Sequence, residues 1–162
     1  MRKVIVNSTP IISLSLIDSL YILKELYGTV FIPKAVYDEV VIKGKSKIGS
    51  NNLLECEYIK ILEIKNKEAE KLFKTNLHSG EVEVMILYDE LNADLCILDD
   101  LLARKYAKYL NYNITGTIGV LLKAKEVGLV KNIKQLLFEL IKNGIYIDRK
   151  LMKKVLELAN EN

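Results

Sequence analysis

Residues 95–100 read Leu-Cys-Ile-Leu-Asp-Asp and carry the clearest strand signal in the chain. Four apolar residues in a row predict a strand that is buried on both faces, as in a parallel sheet covered by helices. Two aspartates end the strand abruptly, and residues 101–110 are predicted to form a helix directly after it. A buried strand that leads at once into a helix is the repeating unit of an α/β fold.

The same alternation extends in both directions from this stretch. Four more strands are predicted, at residues 4–6, 29–32, 59–64 (an edge strand) and 112–115. Helices are predicted between them, so the fold class is a three-layer α/β/α arrangement around a mostly parallel five-stranded sheet, followed by C-terminal helices.

Capping residues mark several helix ends. Ser8 or Thr9 before Pro10 predicts the start of the first helix, since proline at the first helical position has no N–H to leave unpaired. Ser79 predicts the N-cap of a longer helix. Residues 43–52, rich in Lys, Ser, Gly and Asn, predict an exposed loop.

The length of 162 residues suits one globular domain. No linker or repeat divides the chain, so we expect a single domain over residues 1–162. Its α/β core is expected in 1–128 and a helical extension in 129–162, where Asp148 is predicted to cap the last helix.

Composition narrows the class of protein. The chain is 50% hydrophobic and 28% charged, as in soluble proteins. No apolar run approaches the ~20 residues of a membrane span, and the N-terminus lacks the apolar segment of a signal peptide, so we expect a cytoplasmic location. A net charge of +3 permits contact with nucleic acid without indicating it. Two cysteines and one histidine argue against a disulfide framework and a zinc site.

Oxygen-bearing side chains collect where the predicted strands end, which is where ligands bind in an open parallel sheet. Asn7, Ser8 and Thr9 follow the first strand, Glu39 follows the second within two helical turns, Glu81 lies in the first turn of the Ser79 helix, Asp99 and Asp100 follow the fourth strand, and Thr117 follows the fifth.

Such a set of side chains favours a bound cation. Carboxylates that lie close together raise one another's pKa, so a fold normally compensates them with positive charge. Oxygen ligands without Cys or His favour Mg²⁺ or Mn²⁺ over zinc. A hard divalent ion suits phosphoryl chemistry, because it lowers the pKa of a bound water and neutralises charge on a scissile phosphate.

Each acid also has a purely structural interpretation. Asp99 or Asp100 can cap the helix that follows the fourth strand. Glu81 is stabilised near a helix N-terminus by the helix dipole alone. Glu39 can be a solvated surface acid beside Asp38. Only the shared location of these residues favours a site.

Five stretches together resemble PIN-domain proteins, especially an uncharacterised PIN-like family of prokaryotes. They are Val-Ile-Val-Asn-Ser-Thr-Pro-Ile-Ile at 4–12, Ile-Pro-Lys-Ala-Val-Tyr-Asp-Glu-Val at 32–40, Ser-Gly-Glu-Val-Glu at 79–83, Ile-Leu-Asp-Asp-Leu-Leu-Ala-Arg at 97–104, and Thr-Gly-Thr-Ile-Gly-Val-Leu-Leu at 115–122. The resemblance covers nearly the whole chain and implies a ribonuclease that uses Mg²⁺ or Mn²⁺.

The resemblance also implies roles for individual residues. It makes Glu39, Glu81 and Asp99 the catalytic acids, with Asn7, Glu39, Glu81, Asp99 and Asp100 as metal ligands and Ser8, Thr9 and Thr117 in support. Arg104 and Lys105, which follow the acids, are weaker candidates for holding RNA phosphate. The family further implies an RNA substrate, a homodimer and, in toxin members, a small antitoxin partner.

Two departures from the family pattern leave alternatives open. Asn7 stands where active nucleases usually carry Asp, and Thr117 stands where a fourth acid is often found. A ribonuclease, in a type II toxin–antitoxin pair or outside one, is therefore weighed against a nuclease-impaired module that binds nucleic acid or protein. A phosphoacceptor receiver domain is disfavoured, because the acidic pair after the first strand and the lysine after the last strand are missing.

Tyrosine is the remaining feature of note, with nine in the chain. Tyrosine rings can stack on unpaired bases. For Tyr106, Tyr109 and Tyr112, however, we expect packing in a core or on a dimer face.

Overall fold

The computed structural model describes residues 2–44, 49–72 and 77–162. Its sheet contains the five strands β1 Val4–Val6, β2 Val30–Pro33, β3 Ile59–Leu62, β4 Leu95–Ile97 and β5 Ile114–Thr115. All pair in parallel in the order β3-β2-β1-β4-β5. Helices cover both faces, so the three-layer α/β/α class predicted from the alternation is confirmed.

The helices follow the order expected of a doubly wound sheet. They are α1 Ser8–Leu16, α2 Tyr21–Tyr27, α3 Lys34–Tyr37, α4 Ser50–Leu54, α5 Ser79–Leu91, α6 Leu101–Tyr109, α7 Thr117–Glu126, α8 Lys134–Lys142 and α9 Arg149–Leu158. A π-helical turn, Asp38–Ile42, continues α3, and a 3₁₀ helix spans Lys67–Leu72.

The central strand β1 determines where a ligand site can form. Its three β-branched residues are fully buried, and Ile5 pairs with Phe31 of β2 on one side and Cys96 of β4 on the other. The chain winds outward to β2 and β3 in one direction and to β4 and β5 in the other. The crevice at the carboxyl end of β1 is thus the topological switch point, where open α/β sheets bind ligands.

The core lies between the sheet and its two helical layers. α5 packs on α3 and against β1 and β2, while α7 packs on α1, α2 and α9. Ile5, Ile97, Leu121 and Leu137 are fully buried, so the C-terminal helices share the core. The apolar residues whose spacing predicted the helices are therefore the residues that face the core.

Several predicted helix starts are wrong by one or two residues. α1 begins at Ser8, so Asn7 occupies the N-cap and Pro10 the third helical position. His78, rather than Ser79, precedes α5. The predicted caps that hold are Asp100 on α6 and Asp148 on α9, each of which accepts a hydrogen bond from a backbone N–H three residues later. Helix ends fray, so the sequence predicts the exact first residue of a helix poorly.

The loop predicted at residues 43–52 is wrong in part. Ser50–Leu54 forms the short helix α4, whose Leu53 is buried. Residues 45–48 of the same prediction lie outside the described residues. Among the residues that the structure describes, none of the helices has the length and apolar character needed to cross a membrane.

Candidate active site

Asn7 lies at the switch point, immediately after β1. Its backbone N–H donates to Ile97 O of β4 at 2.9 Å, which extends the β1–β4 pairing to the end of the sheet. Its side chain is 3% exposed, and Oδ1 is buried without a hydrogen-bond partner. A buried carbonyl oxygen without a donor costs about 1–3 kcal/mol unless something else supplies positive charge to it.

Glu39 reaches the same edge from the π-helical turn. Ser8 Oγ donates to its Oε2 at 2.7 Å, which links the start of α1 to this turn. The carboxyl group lies against the backbone of Gly80 in α5, where a Cβ atom would come within 3.0 Å of Glu39 Cδ. A π-helical turn rotates side chains out of the ordinary helical register and is frequent at functional sites. Ser8, Gly80 and the π turn together hold Glu39.

Glu81 lies in the first turn of α5 and is 5% exposed. His78 N–H donates to Oε1 at 3.0 Å, whereas Oε2 is buried without a partner. Burial raises the pKa of the Glu81 carboxyl above its ordinary value, and the charges of Asp100 and Glu39 raise it further against the lowering effect of His78. One oxygen of Glu81 therefore remains available to a cation or a proton.

Asp99 is in a different state, because Thr117 satisfies both of its oxygens. Thr117 N–H donates to Oδ1 at 2.7 Å and Thr117 Oγ1 donates to Oδ2 at 2.5 Å. The close approach depends on Gly116, where a Cβ atom would lie 2.6 Å from Asp99 Oδ1 and 3.0 Å from Arg104 Nη1. Thr117 thus orients Asp99 from the N-terminus of α7 instead of supplying a fourth acid.

The remaining predicted site residues lie at the rim. Asp100 is exposed and caps α6 through a 2.9 Å bond from Ala103 N–H. Arg104 is half-buried, and its Nη1 donates to Leu98 O at 2.9 Å, which fixes the guanidinium beside Gly116. Lys105 and Thr9 are exposed. Of the two neighbouring hydroxyl residues Ser8 and Thr9, Ser8 is therefore the one that contacts an acid.

Sequence reasoning assigned no role to Glu83. Its Oε1 accepts a 3.1 Å hydrogen bond from Ala35 N–H at the start of α3. Burial raises the pKa of the Glu83 carboxyl. Because α3 leads directly into the π turn, this bond ties the helix that carries Glu81 to the segment that carries Glu39. Gly80 and Gly116, which approach Glu39 and Asp99, were also given no role, and their signal is that each directly follows a polar residue at a strand or helix junction.

The acidic side chains affect one another through their charges but do not meet in one ligand group. Within the described ranges, no three His, Cys, Asp or Glu side chains form a group that could hold a metal ion by themselves. Among the described residues, the buried side-chain oxygens that lack a hydrogen-bond donor are Asn7 Oδ1, from an amide, and Glu81 Oε2, from a carboxylate. Both are hard donors of the kind Mg²⁺ and Mn²⁺ take, so the chemistry of the residues present fits a divalent ion.

Helix N-termini partly compensate the negative charge. α1, α5, α6 and α7 all begin at this edge, and each N-terminus carries a partial positive charge from its helix dipole. Asp99 and Glu81 both accept backbone N–H bonds there. Each Asp99 oxygen accepts one hydrogen bond, whereas one of the two Glu81 oxygens accepts none.

Comparison with known proteins agrees with the fold. The structure resembles a PilT N-terminus domain protein from the hyperthermophilic archaeon Sulfolobus solfataricus P2, with a TM-score of 0.55 and 19% identity over 75% of this chain and 92% of that one. At this identity the likeness shows the fold alone. Among curated proteins none matches the chain.

A family model described as a PIN domain matches residues 3–161. That match spans nearly the whole chain, including every strand and all the residues at the carboxyl edge of the sheet. Proteins with this domain are generally nucleases and typically use divalent metal ions. This chain belongs to the PIN-domain family.

Proposed function

We propose that the protein is a metal-dependent ribonuclease whose site is the carboxyl edge of the sheet. The observation that carries the proposal is the pair of buried oxygens without donors, Asn7 Oδ1 and Glu81 Oε2, at the topological switch point. Unpaired buried acceptors are costly, and a bound Mg²⁺ or Mn²⁺ ion would supply the positive charge that such oxygens lack.

Asn7, Glu39, Glu81, Asp99 and Asp100 are the proposed ligands, directly or through water. When bound, the ion lowers the pKa of a water and neutralises charge on the scissile phosphate. Ser8 fixes Glu39 and Thr117 fixes Asp99, so both carboxylates are oriented before substrate arrives. Such orientation reduces the reorganisation that the reaction would otherwise require.

The proposed reaction is hydrolysis of an RNA phosphodiester. A water oxygen forms a bond to phosphorus, the bond from phosphorus to one bridging oxygen breaks, and that oxygen takes up a proton. One water and one diester give a phosphate monoester and a hydroxyl group. Glu39, Glu81 and Asp99 are the proposed catalytic acids. Arg104, half-buried near Asp99, and Lys105, exposed on α6, are the proposed contacts to the phosphate.

A second candidate function is a nucleic-acid- or protein-binding module without cleavage. Two observations favour it. Asn7 brings no charge where nucleases usually have Asp, and Thr117 already satisfies both oxygens of Asp99. A site with fewer free charges binds a divalent cation more weakly.

Partners and setting are proposed on the same family basis. We propose a homodimer in the cytoplasm and, for a type II toxin, a small antitoxin encoded directly upstream. Residues 1–162 are proposed to fold as one domain, with 129–162 as a helical extension of the 1–128 core. Sedimentation tests the dimer, and a single cooperative unfolding transition tests the domain.

The decisive experiment is cleavage of a structured RNA with Mn²⁺ and with EDTA. We expect cleavage with Mn²⁺ only, and its loss in Glu39→Gln and Asp99→Asn. The matched control is Glu63→Gln, an exposed acid directly after the edge strand β3, which should leave the rate unchanged. RNA binding without Mn²⁺-dependent cleavage, together with cleavage gained in Asn7→Asp, would establish the binding module instead.

A further inference from the structure

The outer surface of α6 carries an unexplained combination of aromatic and basic side chains. α6 starts directly after Asp99 and Asp100, so its first turn borders the candidate site. Leu102, Lys105, Tyr106 and Tyr109 line a hollow of about 320 Å³ on this surface. That volume is at the small end of the range for ligand sites, about 300–1,000 Å³.

The helix sorts its side chains into stripes, since successive residues turn by about 100°. Ala103 and Ala107 face inward and are fully buried. On the outside, Leu102 and Tyr109 form one stripe with the partly buried Tyr106, and Lys105 and Lys108 form the stripe beside it. α6 itself contains no acidic residue.

This surface of α6 exposes more apolar and aromatic side-chain area than is usual for a helix that faces only solvent. Tyr109 is 85% exposed and Leu101 is 84% exposed, although Tyr109 was expected to pack in a core or on a dimer face. Tyr112, in contrast, packs as expected, with its ring stacked 4.0 Å from that of Tyr88. Exposed apolar side chains grouped in one patch mark a binding surface.

Charge decides between the occupants of such a surface. A twofold dimer through this face would gather the basic stripes of both copies, and no acid of α6, into one interface, because such an interface is formed by the same patch on each subunit. A duplex offers its phosphates but keeps its base faces stacked. An unpaired RNA strand offers phosphates to the basic stripe and free base faces to the tyrosines.

We propose that the α6 surface is a subsite for an unpaired stretch of RNA, in which a base stacks on Tyr109 and Tyr106 while Lys105 and Lys108 contact its phosphates. The inference rests on the proposed function, because α6 leads from this subsite to the acids. It adds the residues that hold the strand next to the bond that is cut.

The test measures binding of a fluorescent oligouridine by anisotropy in EDTA, where no metal-dependent cleavage interferes. Tyr109→Ala should weaken binding about 5- to 100-fold, the range for loss of one base–aromatic stack. Tyr109→Phe keeps the ring and should retain wild-type affinity. The matched control is Tyr146→Ala, since Tyr146 is 86% exposed in the segment between α8 and α9 and should have no effect.

The basic stripe has its own readout. Lys105→Gln and Lys108→Gln should each reduce the slope of log affinity against log salt by about 0.7, the value for one phosphate contact on a single strand. A blunt RNA duplex of the same length should bind more weakly than the oligouridine and should be insensitive to Tyr109→Ala.

Three results would overturn the subsite: equal effects of Tyr109→Ala and Tyr146→Ala, equal affinity for duplex and single strand, or a Tyr109→Ala variant that dissociates a dimer in sedimentation while keeping its RNA affinity. The nuclease proposal fails separately. Absence of Mn²⁺-dependent cleavage with Tyr109-dependent binding overturns the nuclease and leaves the subsite. Cleavage with Tyr109-independent binding does the reverse.

Discussion

Two glutamates at helix N-termini show how differently one residue type can be used. Glu81 is a buried residue, 5% exposed, whereas Glu161, near the C-terminus, is half-buried as a residue and has a side chain that is 7% exposed. Both accept hydrogen bonds from backbone N–H groups at a helix N-terminus, Glu161 at α8 and Glu81 at α5. The two carboxylates therefore lie in the same kind of setting.

The two carboxylates differ in how fully they are satisfied. Glu161 accepts bonds from Ile133 N–H, Lys134 N–H and Lys125 Nζ, the last at 2.9 Å. Burial alone would raise the pKa of its carboxyl, but these bonds outweigh burial and lower it. Glu81 has one such bond and one oxygen without a partner, and its pKa is raised. Glu161 thus holds the C-terminus to α8, whereas the free oxygen of Glu81 is available to a ligand.

The largest expected effect comes from Glu81→Gln. On the proposed function, cleavage should fall about 1,000-fold, which is about 4 kcal/mol, because a ligand oxygen with its charge is lost. The free energy of unfolding in EDTA should not fall, because the buried charge is removed along with its desolvation cost. RNA cleavage and urea unfolding measure the two effects, and Glu63→Gln is the control. A loss of stability as large as that of Glu161→Gln would erase the contrast between the two residues.

Glu161→Gln should behave in the opposite way. The variant loses the charge that pairs with Lys125 and weakens the bonds at the start of α8, so the free energy of unfolding should fall by about 2–3 kcal/mol. None of its partners lies in the site, so cleavage at low temperature should match the wild type. Urea unfolding checks the change, with Glu157→Gln, an exposed acid on α9, as control. An unchanged urea midpoint would show that the C-terminal carboxylate contributes nothing.

Asn7→Asp sharpens the contrast by adding a second unsatisfied carboxylate. Mn²⁺ affinity should rise about tenfold, or 1.4 kcal/mol, since a charged ligand replaces a neutral one. Stability in EDTA should fall, because a buried carboxylate without donors joins an edge that already carries Glu81. Titration calorimetry measures the affinity, and the exposed substitution Asn51→Asp is the control. Weaker Mn²⁺ binding in Asn7→Asp would place the ion elsewhere.

The smallest effect is a dependence of metal-free stability on pH. Native Glu81 keeps its proton at pH values where the unfolded chain has lost it, so the contribution of Glu81 to stability should fall as pH rises from 4.5 through its raised pKa. The pKa of Glu161 is lowered from 4.5 in the native protein, so native Glu161 stays ionised at pH values just below 4.5. Its contribution to stability is therefore present above that pH and is lost as the pH falls below it. Urea unfolding of each Gln variant against pH separates the two. Profiles that coincide with the wild type would contradict both assignments.

The alternation of strands and helices made most of the fold predictable from the sequence. Residues 95–98 and 4–6 are apolar without interruption, and only strands buried on both faces need that pattern. Helix starts were less accessible, since Asn7 and Ser8 are both good caps and the choice between them depends on where β1 releases the chain. Helix α4 was missed because its polar sequence, Ser-Asn-Asn-Leu-Leu, reads as loop, and burial of Leu53 outweighed local preference.

The candidate site was predictable as a location and not as an arrangement. Strand ends and one helix start predicted a common edge for Asn7, Glu39, Glu81 and Asp99. That each Asp99 oxygen accepts a hydrogen bond depends on Thr117, which is eighteen residues beyond Asp99 in the chain. Glu83 gave no signal because its partner is a backbone N–H of Ala35, and every residue except proline has that group.

The sequence by itself determined the order of the elements, the burial of the strands and the edge at which polar residues meet, because these follow from local periodicity and from the geometry of parallel sheets. Only the tertiary structure decided which carboxylates are satisfied. Hydrogen bonds between side chains and distant backbone groups are set by where helices pack, to within a fraction of an ångström, and no pattern of residue types specifies that distance.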